Sequence, residues 1–339
     1  MGKQKYTTIH DIAHKAGVSV STVSRVLTGN TPVAEDKRTA VLHAMDRLNY
    51  RPSVMARGLV QGMSATVGVL TQNVASLFYG ELVKGIEQGL IGSRYHPLVA
   101  SGNWRADEEI AALDLLLQRR VDALIVLNGV LPPDRLQAVT DQQLPLIIVG
   151  RHVAGLEASC LLVENIAGAR AATDHLLALG HRHIAHLTGL LSQRDALQRR
   201  AGYWTALQAA GCADPHLIVE GDFEEESGVR AVEQLLAQGR PFSAIFAAND
   251  QLAYGARLAL YRAGLRVPED VSLIGFDDQL SSRYTIPPLT TVRQPIFALG
   301  LAAAHAVLQW LAGEQPILPL FSTELVLRDS TGPALPART

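Results

Sequence analysis

The sequence predicts a small all-α head followed by a larger α/β body made of two doubly wound parallel-sheet lobes. In the first 50 residues, apolar side chains recur at helical spacing on either side of a short turn. Over residues 64–330, nine short apolar runs alternate with amphipathic segments, a pattern that gives parallel sheets covered by helices on both faces. Nine strand–helix units are too many for one small sheet, and 339 residues are too many for one ordinary core. Two similar lobes, dividing near residues 164–167, are therefore expected.

Charge divides the chain in the same way. The formal net charge is −2, but residues 1–60 carry nine Lys or Arg against four acids, and the remainder carries 21 basic against 28 acidic residues. A basic head on an acidic body indicates that the head binds a polyanion and that the body does not.

The cysteines and the apolar runs narrow the class of protein further. Two cysteines, Cys160 and Cys212, fit a reducing compartment and make no disulfide framework. The N-terminal MGKQKYTT lacks the apolar core of a signal peptide, and no run of 18 apolar residues exists. A cytoplasmic protein without membrane contact is expected.

Two tightly joined helices are predicted at the start of the head. The first begins at Thr8, which stands three residues before Asp11 as in a capping box, and it ends at Gly17. Ser19 can cap a second helix only two residues later. Two short helices connected in this way form a helix-turn-helix candidate.

The second helix lies within VSVSTVSRVLTGN at residues 18–30, a stretch whose β-branched residues favour strands. A strand would place Val23 on the face opposite Val18 and Val20, so the alternation fails midway. A helix gathers most apolar side chains on one arc and leaves a small, polar arc that carries Arg25. Small side chains let a helix lie deep in the major groove, where an arginine can donate two hydrogen bonds to a guanine edge. The alternative for Arg25 is a solvated surface charge.

A third helix is predicted over residues 35–49 and ends before Pro52, since the residue preceding a proline avoids the helical region. Its buried stripe consists of Val41, Met45 and Leu48. Ser53 then caps the segment VMARGLVQ, which is too short to be a stable helix alone. This segment is expected to need DNA or a second copy of the chain.

The run TIHDIAHKAGVSVSTVSRVLTGN, followed by LNYRPSVMARGL, closely resembles the N-terminal region of the lactose/galactose repressor (LacI/GalR) family of bacterial transcription regulators. The resemblance covers the whole head and, with the body, nearly the full chain. It implies that the second helix reads the major groove through the variable Val20 and Ser21 and the more constant Arg25. It also implies that a pair of hinge helices enters the minor groove and wedges Leu59 into the central base step, as apolar wedges that kink DNA do; the alternative is a linker residue packed on the body. The DNA-contacting residues implied in this way are Thr8, Ser19, Val20, Ser21, Ser24, Arg25, Thr28, Tyr50, Ala56, Arg57 and Leu59.

The same resemblance implies that the body is like a type I periplasmic sugar-binding protein, whose chain crosses between its lobes three times. The crossings are expected near residues 162–165, 291–295 and 321–324. The expected divisions are a helix-turn-helix domain over 1–51, a hinge helix and linker over 52–63, an effector-binding and dimerisation domain over 64–330, and a flexible tail over 331–339. Lobe one is expected over 64–163 and 294–322, and lobe two over 164–293 and 323–330.

Candidate ligand-binding residues follow the predicted strands, where ligands of open α/β folds bind. Charged, amide and aromatic groups together suit a polyhydroxylated ligand. In the sugar-responsive members, the positions matching Arg199, Asn249 and Asp277 contact hydroxyls, and the position of Phe223 stacks on the ring. The full candidate set is Phe78, Tyr79, Asn128, Arg151, Arg199, Phe223, Asn249 and Asp277.

Alternatives stay open at several of these positions. Asp277 and Asp278 could form a turn, Asn249 could be a helix cap as well as a ligand contact, and Arg151 could be a surface charge. Leu127 stands where many members of the family have a polar residue, with Asn128 next to it. The acids at residues 224–226 are expected only to complement a helix dipole.

These observations predict a homodimeric transcription repressor that binds a near-palindromic operator and responds to a small carbohydrate between its lobes. The alternatives are a purine- or nucleoside-responsive regulator and a ligand-binding protein that does not regulate through DNA. The stretch GHRHIAH contains three histidines but no completing ligand set, so no metal or cofactor is expected. The chain has no phosphate loop and no nucleophile elbow, so no catalytic residues are assigned. The C-terminal STGPALPART lacks the heptads of a tetramer-forming bundle.

Overall fold

The computed structural model describes residues 7–28, 31–50 and 63–334. The chain forms two compact units that meet at Ala65 and Thr66. The predicted hinge helix and the last five residues of the predicted tail lie outside the described residues. Within the described ranges, no helix is both long enough and apolar enough to cross a membrane.

The first unit contains three helices around one small core. They are α1 (Ile9–Ala16), α2 (Val20–Thr28) and α3 (Glu35–Arg47). Ile12, Val23 and Val41 come from one helix each and are fully buried together, so three helices that are marginal alone stabilise one another by removing apolar surface from water. The third helix ends two residues before the predicted Asn49, which adopts a positive φ of 48°.

The first helix begins and ends at its predicted signals, and the second begins at its predicted cap. Thr8 Oγ1 accepts a hydrogen bond from the Asp11 amide at 3.4 Å, and Asp11 Oδ2 accepts one from the Thr8 amide at 2.8 Å, which completes a capping box. Gly17 follows α1 with φ at +65°, a conformation that glycine adopts without steric cost. Ser19 Oγ accepts from the Thr22 amide at 3.2 Å and caps α2. The predicted helix-turn-helix is confirmed.

Lobe one of the second unit is a six-stranded parallel sheet with helices on both faces. Its strands are β1 (Thr66–Thr71), β2 (His96–Ser101), β3 (Ala123–Leu127), β4 (Leu146–Val149), β5 (Cys160–Val163) and β11 (Leu320–Phe321). Its helices are α4 (Leu77–Leu90), α5 (Ala106–Gln118), α6 (Pro133–Asp141) and α11 (Ile296–Leu311). The strand order is β2-β1-β3-β4-β5-β11. Every residue of β3 and β4 is buried, as expected for central strands covered on both sides.

Lobe two repeats this arrangement. Its strands are β6 (Ile184–Thr188), β7 (Ile218–Glu220), β8 (Ala244–Ala247), β9 (Ser272–Asp277), β10 (Thr290–Arg293) and β12 (Glu324–Val326). Its helices are α7 (Asn165–Ala178), α8 (Arg194–Ala209), α9 (Glu225–Ala237) and α10 (Asp250–Arg262). The order is β7-β6-β8-β9-β10-β12, and β12 is antiparallel to β10.

The sequence-based prediction of this unit is confirmed in its main lines. All nine predicted strands form. The chain passes between the lobes after β5, after β10 and after β11, where the three crossings were predicted. The segments at the second and third crossings form β10, β11 and β12, three strands that were not predicted. They are short, and each depends on pairing with a strand distant in sequence.

Residues 331–334, the start of the predicted flexible tail, are attached to lobe two by hydrogen bonds. The Ala334 amide donates to the Leu179 carbonyl at 2.9 Å. His181 Nε2 lies 3.0 Å from the Gly332 carbonyl. Residues 331–334 therefore belong to lobe two, because they satisfy polar groups of its buried edge.

Candidate functional site

The candidate DNA-reading helix α2 has one apolar and one polar side, as predicted. Val23 is fully buried, while Ser21 and Arg25 are exposed. Val20 is half-buried against the small core, so its methyl groups serve packing as well as the outer surface. Tyr50 is also half-buried against this core. The β-branched side of α2 packs against the other two helices, and this packing leaves the polar side exposed.

Four of the candidate DNA contacts fall on residues whose side chains are not described. They are Thr28, Ala56, Arg57 and Leu59. The roles of the hinge residues, and the alternative packing of Leu59 on the body, stay predictions.

Seven of the eight candidate ligand residues line one cleft between the two lobes of the second unit. They are Phe78, Tyr79, Asn128, Arg199, Phe223, Asn249 and Asp277. The cleft holds about 450 Å³ of space, its open mouth included. Parallel strands from both sheets end there, so side chains distant in sequence meet at one place.

Arg199 of α8 is the central cation of the cleft, and it is almost fully buried at 4% exposure. Its Nε donates to Asn165 Oδ1 at 3.0 Å, and its Nη1 donates to the Ala248 carbonyl at 2.6 Å. Its guanidinium carbon lies 4.0 Å from the centre of the Phe276 ring. These contacts fix the planar group in one orientation, with Nη1 3.7 Å from Asp277 Oδ1.

Asp277, at the end of β9, is the buried partner of this cation. Gln294 Nε2 donates to its Oδ1 at 2.6 Å. Burial raises the pKa of Asp277 to about 6, with Asp195 adding to the rise, while Arg199 and Gln294 oppose it. Its φ of +113° is unusual for a non-glycine residue, and such strained backbone is retained where surrounding contacts determine it.

Asn249 caps a helix, which is one of the two roles that the sequence left open, and it also lines the cleft. Its Oδ1 accepts from the Leu252 amide at 2.9 Å and caps α10, and its Nδ2 donates to the Phe223 carbonyl at 2.9 Å. Phe223 has a φ of +70° and lies so close to Gly189 that a Cβ there would come within 1.9 Å of the ring. The Asn249 amide therefore holds the backbone of Phe223, and the missing side chain of Gly189 leaves space for the Phe223 ring at the cleft.

Lobe one contributes an aromatic wall. The Phe78 and Tyr79 rings lie edge to face with centroids 5.1 Å apart, and the Trp104 centroid is 6.2 Å from that of Tyr79. Asn128 Nδ2 donates to the Tyr79 hydroxyl at 3.2 Å. Burial raises the pKa of Tyr79 well above its usual value, so its hydroxyl is neutral and can also donate.

The cleft contains residues that sequence reasoning missed. These are Asn73, Ser76, Trp104, Asp195, Glu224 and Gln251. Asp195 Oδ2 lies 3.9 Å from Arg199 Nη2, four residues away on the same helix, and this helical spacing is the signal that could have found it. Glu224 lines the cleft rather than serving only the helix dipole, whereas Glu225 and Glu226 lie in the first turn of α9, as predicted.

Arg151 is the one candidate that the structure does not bring into the cleft. It lines an adjoining cavity, and its Nη1 donates to the Gly129 carbonyl at 3.2 Å.

Leu127, which stands where many members of the resembling family have a polar residue, is fully buried in the core of lobe one. The next residue, Asn128, supplies the polar group at the end of this strand because its positive φ of 54° ends the extended chain there.

The acidic neighbours of the site residues are structural. Asp278 is buried and pairs with Arg293 Nε at 2.7 Å and with Arg328, which ties β9 to β10 and to the segment after β12. Asp250 accepts from the hydroxyls of Ser282 and Thr291, both at 2.6 Å. Neither carboxylate lines the cleft.

The histidines of GHRHIAH do not form a metal site. His186 is fully buried between the rings of Tyr203 and Phe246, with centroids 4.7 and 4.8 Å away. Burial lowers its pKa to about 4. His181 lies 2.8 Å from the Ser243 hydroxyl. Among the described residues, no group of three or more His, Cys, Asp or Glu could hold a metal ion.

Two family models match the chain. Residues 8–53 match the model described as bacterial regulatory proteins, lacI family, and residues 173–331 match a periplasmic binding protein-like domain. The HTH-type transcriptional regulator GalR of Escherichia coli K12 is 38% identical over 335 residues, which cover 97% of each chain.

Solved structures with the same fold include protein–ligand complexes. The lac repressor dimer bound to operator and the anti-inducer ONPF has a TM-score of 0.85 and 33% identity, over 97% of this chain and all of that one. A complex of the transcriptional regulator CelR with cellobiose has a TM-score of 0.72 and 31% identity, over 96% and 99% of the two chains.

Proposed function

The chain belongs to the LacI family of bacterial regulatory proteins, and from this premise we propose that it is a homodimeric repressor whose operator affinity is controlled by a small carbohydrate bound between its two lobes. The head supports operator binding. Its α2 exposes a small polar side with one arginine, a surface that fits the major groove. The charged residues of the head are also predominantly basic, which supplies the sequence-independent attraction to phosphates.

The single observation that carries the effector proposal is the cleft itself. A fixed cation and carboxylate, Arg199 and Asp277, face it from one lobe together with the amide of Asn249. Aromatic rings line it from both lobes, with Phe78 on one and Phe223 on the other. Sugars present hydroxyls that donate and accept hydrogen bonds along their edges and apolar C–H faces above and below the ring. This combination of groups matches that chemistry.

A purine or nucleoside is the second candidate. The rings of Phe78, Tyr79 and Trp104 form a cluster at one wall, and planar bases stack on aromatic rings. The three acids of the cleft, Asp195, Asp277 and Glu224, oppose any nucleotide with a phosphate there. For the part of a ligand that lies inside the cleft, the choice is thus between a sugar and an uncharged base or nucleoside.

A second copy of the chain is the proposed partner. Apolar side chains are exposed on both lobes: Val74, Leu77, Leu98 and Val99 on lobe one, and Leu258, Tyr261, Leu280, Tyr284 and Ile286 on lobe two. Large exposed apolar groups mark interaction surfaces when they cluster, and a two-fold dimer matches a near-palindromic operator. Sedimentation of the full chain at micromolar concentration should give twice the monomer mass.

Calorimetry of the full chain tests the effector. The ligands are neutral hexoses, disaccharides, aryl glycosides, purines and nucleosides, and each binding ligand is then added to a complex of the chain with DNA selected from a random pool. One class of sugar should bind and change the affinity for the selected DNA. By linkage, DNA must change the affinity for that sugar by the same factor. Binding by purines alone would establish the second candidate instead.

Arg25→Ala tests the DNA assignment. The variant should lose about 1–3 kcal/mol of discrimination between the selected operator and random DNA, the worth of a bidentate contact to guanine. Its ligand affinity should stay unchanged. The control is Arg47→Ala, at the exposed end of α3, which should retain discrimination. A loss of ligand affinity in Arg25→Ala, or equal losses of discrimination in both variants, would contradict the assignment.

A further inference from the structure

A second cavity adjoins the cleft and shares Asn128 and Asp195 with it. It holds about 910 Å³, its open mouth included, against about 450 Å³ for the cleft. Residues 128–130 and 150–152 of lobe one form one wall, and residues 192–195 of lobe two form much of the other. A ligand seated in the cleft can therefore extend into this cavity without leaving the space between the lobes.

The cleft has an excess of negative charge. Asp195, Asp277 and Glu224 line it, and Arg199 is its one lining cation among the described residues. The Arg199 guanidinium already donates to Asn165 and to the Ala248 carbonyl, and it lies within 4.0 Å of two carboxylates. An anionic group in the cleft would meet repulsion without a cation to compensate it, so the part of a ligand that binds here is neutral.

The adjoining cavity has the opposite balance. Arg151 and Arg194 line it, and Asp195 is its acidic lining residue among those described. The nearby Glu109 carboxylate accepts from the backbone amides of residues 130 and 131 at 2.9 Å, so it has its own hydrogen-bond partners. Arg151 donates one hydrogen bond to a backbone carbonyl, whereas a guanidinium carries five N–H donors.

One buried donor of this cavity has no partner. Gln193 lines it, is only 5% exposed, and its Nε2 makes no hydrogen bond with any described group. An unsatisfied buried donor costs about 1–3 kcal/mol, and a rotation of the Gln193 side chain that brings this donor to a ligand acceptor would remove that cost. Gln193 is also the residue before the first turn of α8, a 16-residue helix, and its own side chain makes no capping hydrogen bond, while the Ala196 amide donates to Asp195 Oδ1 at 2.9 Å. Such a helix end favours negative charge.

We propose that the effector is an acidic sugar derivative, with its neutral hydroxylated ring in the cleft and its carboxylate or phosphate in the adjoining cavity against Arg151, Arg194 and Gln193. Guanidinium groups and amide donors match the oxygen atoms of both anions. The proposal rests on the proposed function, because it presumes a sugar in the cleft. It adds a charged substituent and a second compartment to that site.

Calorimetry of the full chain tests the proposal with glucose, glucuronate and glucose 6-phosphate, and with the corresponding galactose series. One acidic derivative should bind at least tenfold more tightly than its neutral parent, and the preferred anion distinguishes a carboxylate from a phosphate effector. Arg151→Gln and Gln193→Leu should each reduce that advantage and leave the affinity for the neutral sugar within about twofold, since both residues lie outside the cleft. The control is Arg119→Gln, on the exposed C-terminal end of α5, which should keep the full advantage.

Two results would overturn the proposal while sparing the proposed function. One is a neutral sugar that binds as tightly as its acidic derivatives. The other is an equal loss of neutral and acidic binding in Arg151→Gln, with Gln193→Leu retaining the full advantage for the acid. If no sugar of any charge binds, the proposed function itself fails and this inference fails with it. Thermal unfolding of each variant shows whether it is folded, and the two variants alter different elements, so one misfolded protein leaves the other as the test.

Discussion

The two lobes of the body have the same strand order but present different chemistry to the cleft between them. Lobe two contributes charge that is fixed in place: Arg199 is held by hydrogen bonds on both sides, and Asp277 is held by Gln294. Lobe one contributes the aromatic cluster around Tyr79 and the amide of Asn128. The shared strand order thus determines where the side chains of the two lobes meet. The residue types at that place determine which chemical groups each lobe presents to the cleft.

The two lobes also differ in what the burial of their cleft residues costs in free energy of folding. A buried charge must be paired and hydrogen-bonded, or it destabilises the fold. The polar groups of lobe two therefore stabilise the fold in addition to the ligand-binding role proposed for them. Aromatic rings carry no charge, so their burial requires at most a neutral partner, such as the one that the Tyr79 hydroxyl has in Asn128. Substitutions in lobe two should consequently have larger effects than substitutions in lobe one.

The largest effect is expected for Arg199→Met. Removing the cation leaves the buried Asp277 beside Asp195 without a compensating charge, and breaking a buried pair in this way costs about 3–5 kcal/mol of unfolding free energy. Urea unfolding of the full chain measures it. Arg200→Met changes the neighbouring half-buried arginine and should cost less than about 1 kcal/mol. Equal losses in the two variants would remove the distinction between fixed and surface charge.

The next effect is expected for Asp277→Asn. A charged acceptor contributes about 1.5–3 kcal/mol to a hydrogen bond, so the affinity for the effector should fall about 10–150-fold. Binding of operator DNA should remain, because the head keeps its own core. Calorimetry and DNA titration measure the two quantities separately. Undiminished effector binding would exclude Asp277 as a ligand contact.

The wild-type protein should show a matching pH dependence. Burial raises the pKa of Asp277 to about 6, so the carboxylate is ionised at pH 7 and gains a proton as the pH falls through 6. If a ligand hydroxyl donates to the charged carboxylate, the ligand affinity should weaken between pH 7 and pH 5, and Asp277→Asn should abolish this part of the profile. A neutral sugar without titrating groups is the appropriate probe. An unchanged slope in the variant would assign the titration to another group.

The smallest effect is expected for Tyr79→Phe in lobe one. The variant keeps the aromatic ring and loses only the hydroxyl that accepts from Asn128 at 3.2 Å, a neutral hydrogen bond worth about 0.5–1.5 kcal/mol. The effector affinity should fall by about tenfold at most. A loss as large as that of Asp277→Asn would show that both lobes depend equally on polar contacts.

Much of this molecule could be predicted from local sequence. The capping box at Thr8 and the turn at Gly17 act within a few residues, and the nine strands are continuous apolar runs that alternate with helices. The candidate ligand residues were found because ligands bind at strand ends in such folds, which is a rule of topology rather than of distance. These features are determined by neighbours along the chain, so the sequence alone contains them.

Contacts between distant segments decided the rest. The strands β10, β11 and β12 form only by pairing with other strands of their own sheets. Trp104 lines the cleft from a loop, where no periodic pattern in the sequence predicts it. Arg151 follows its strand as predicted but lines the adjoining cavity rather than the cleft. The sequence determined which groups stand at the strand ends. Only the packing of the two lobes decided which of them share a cleft, since burial and charge pairing act through space and not along the chain.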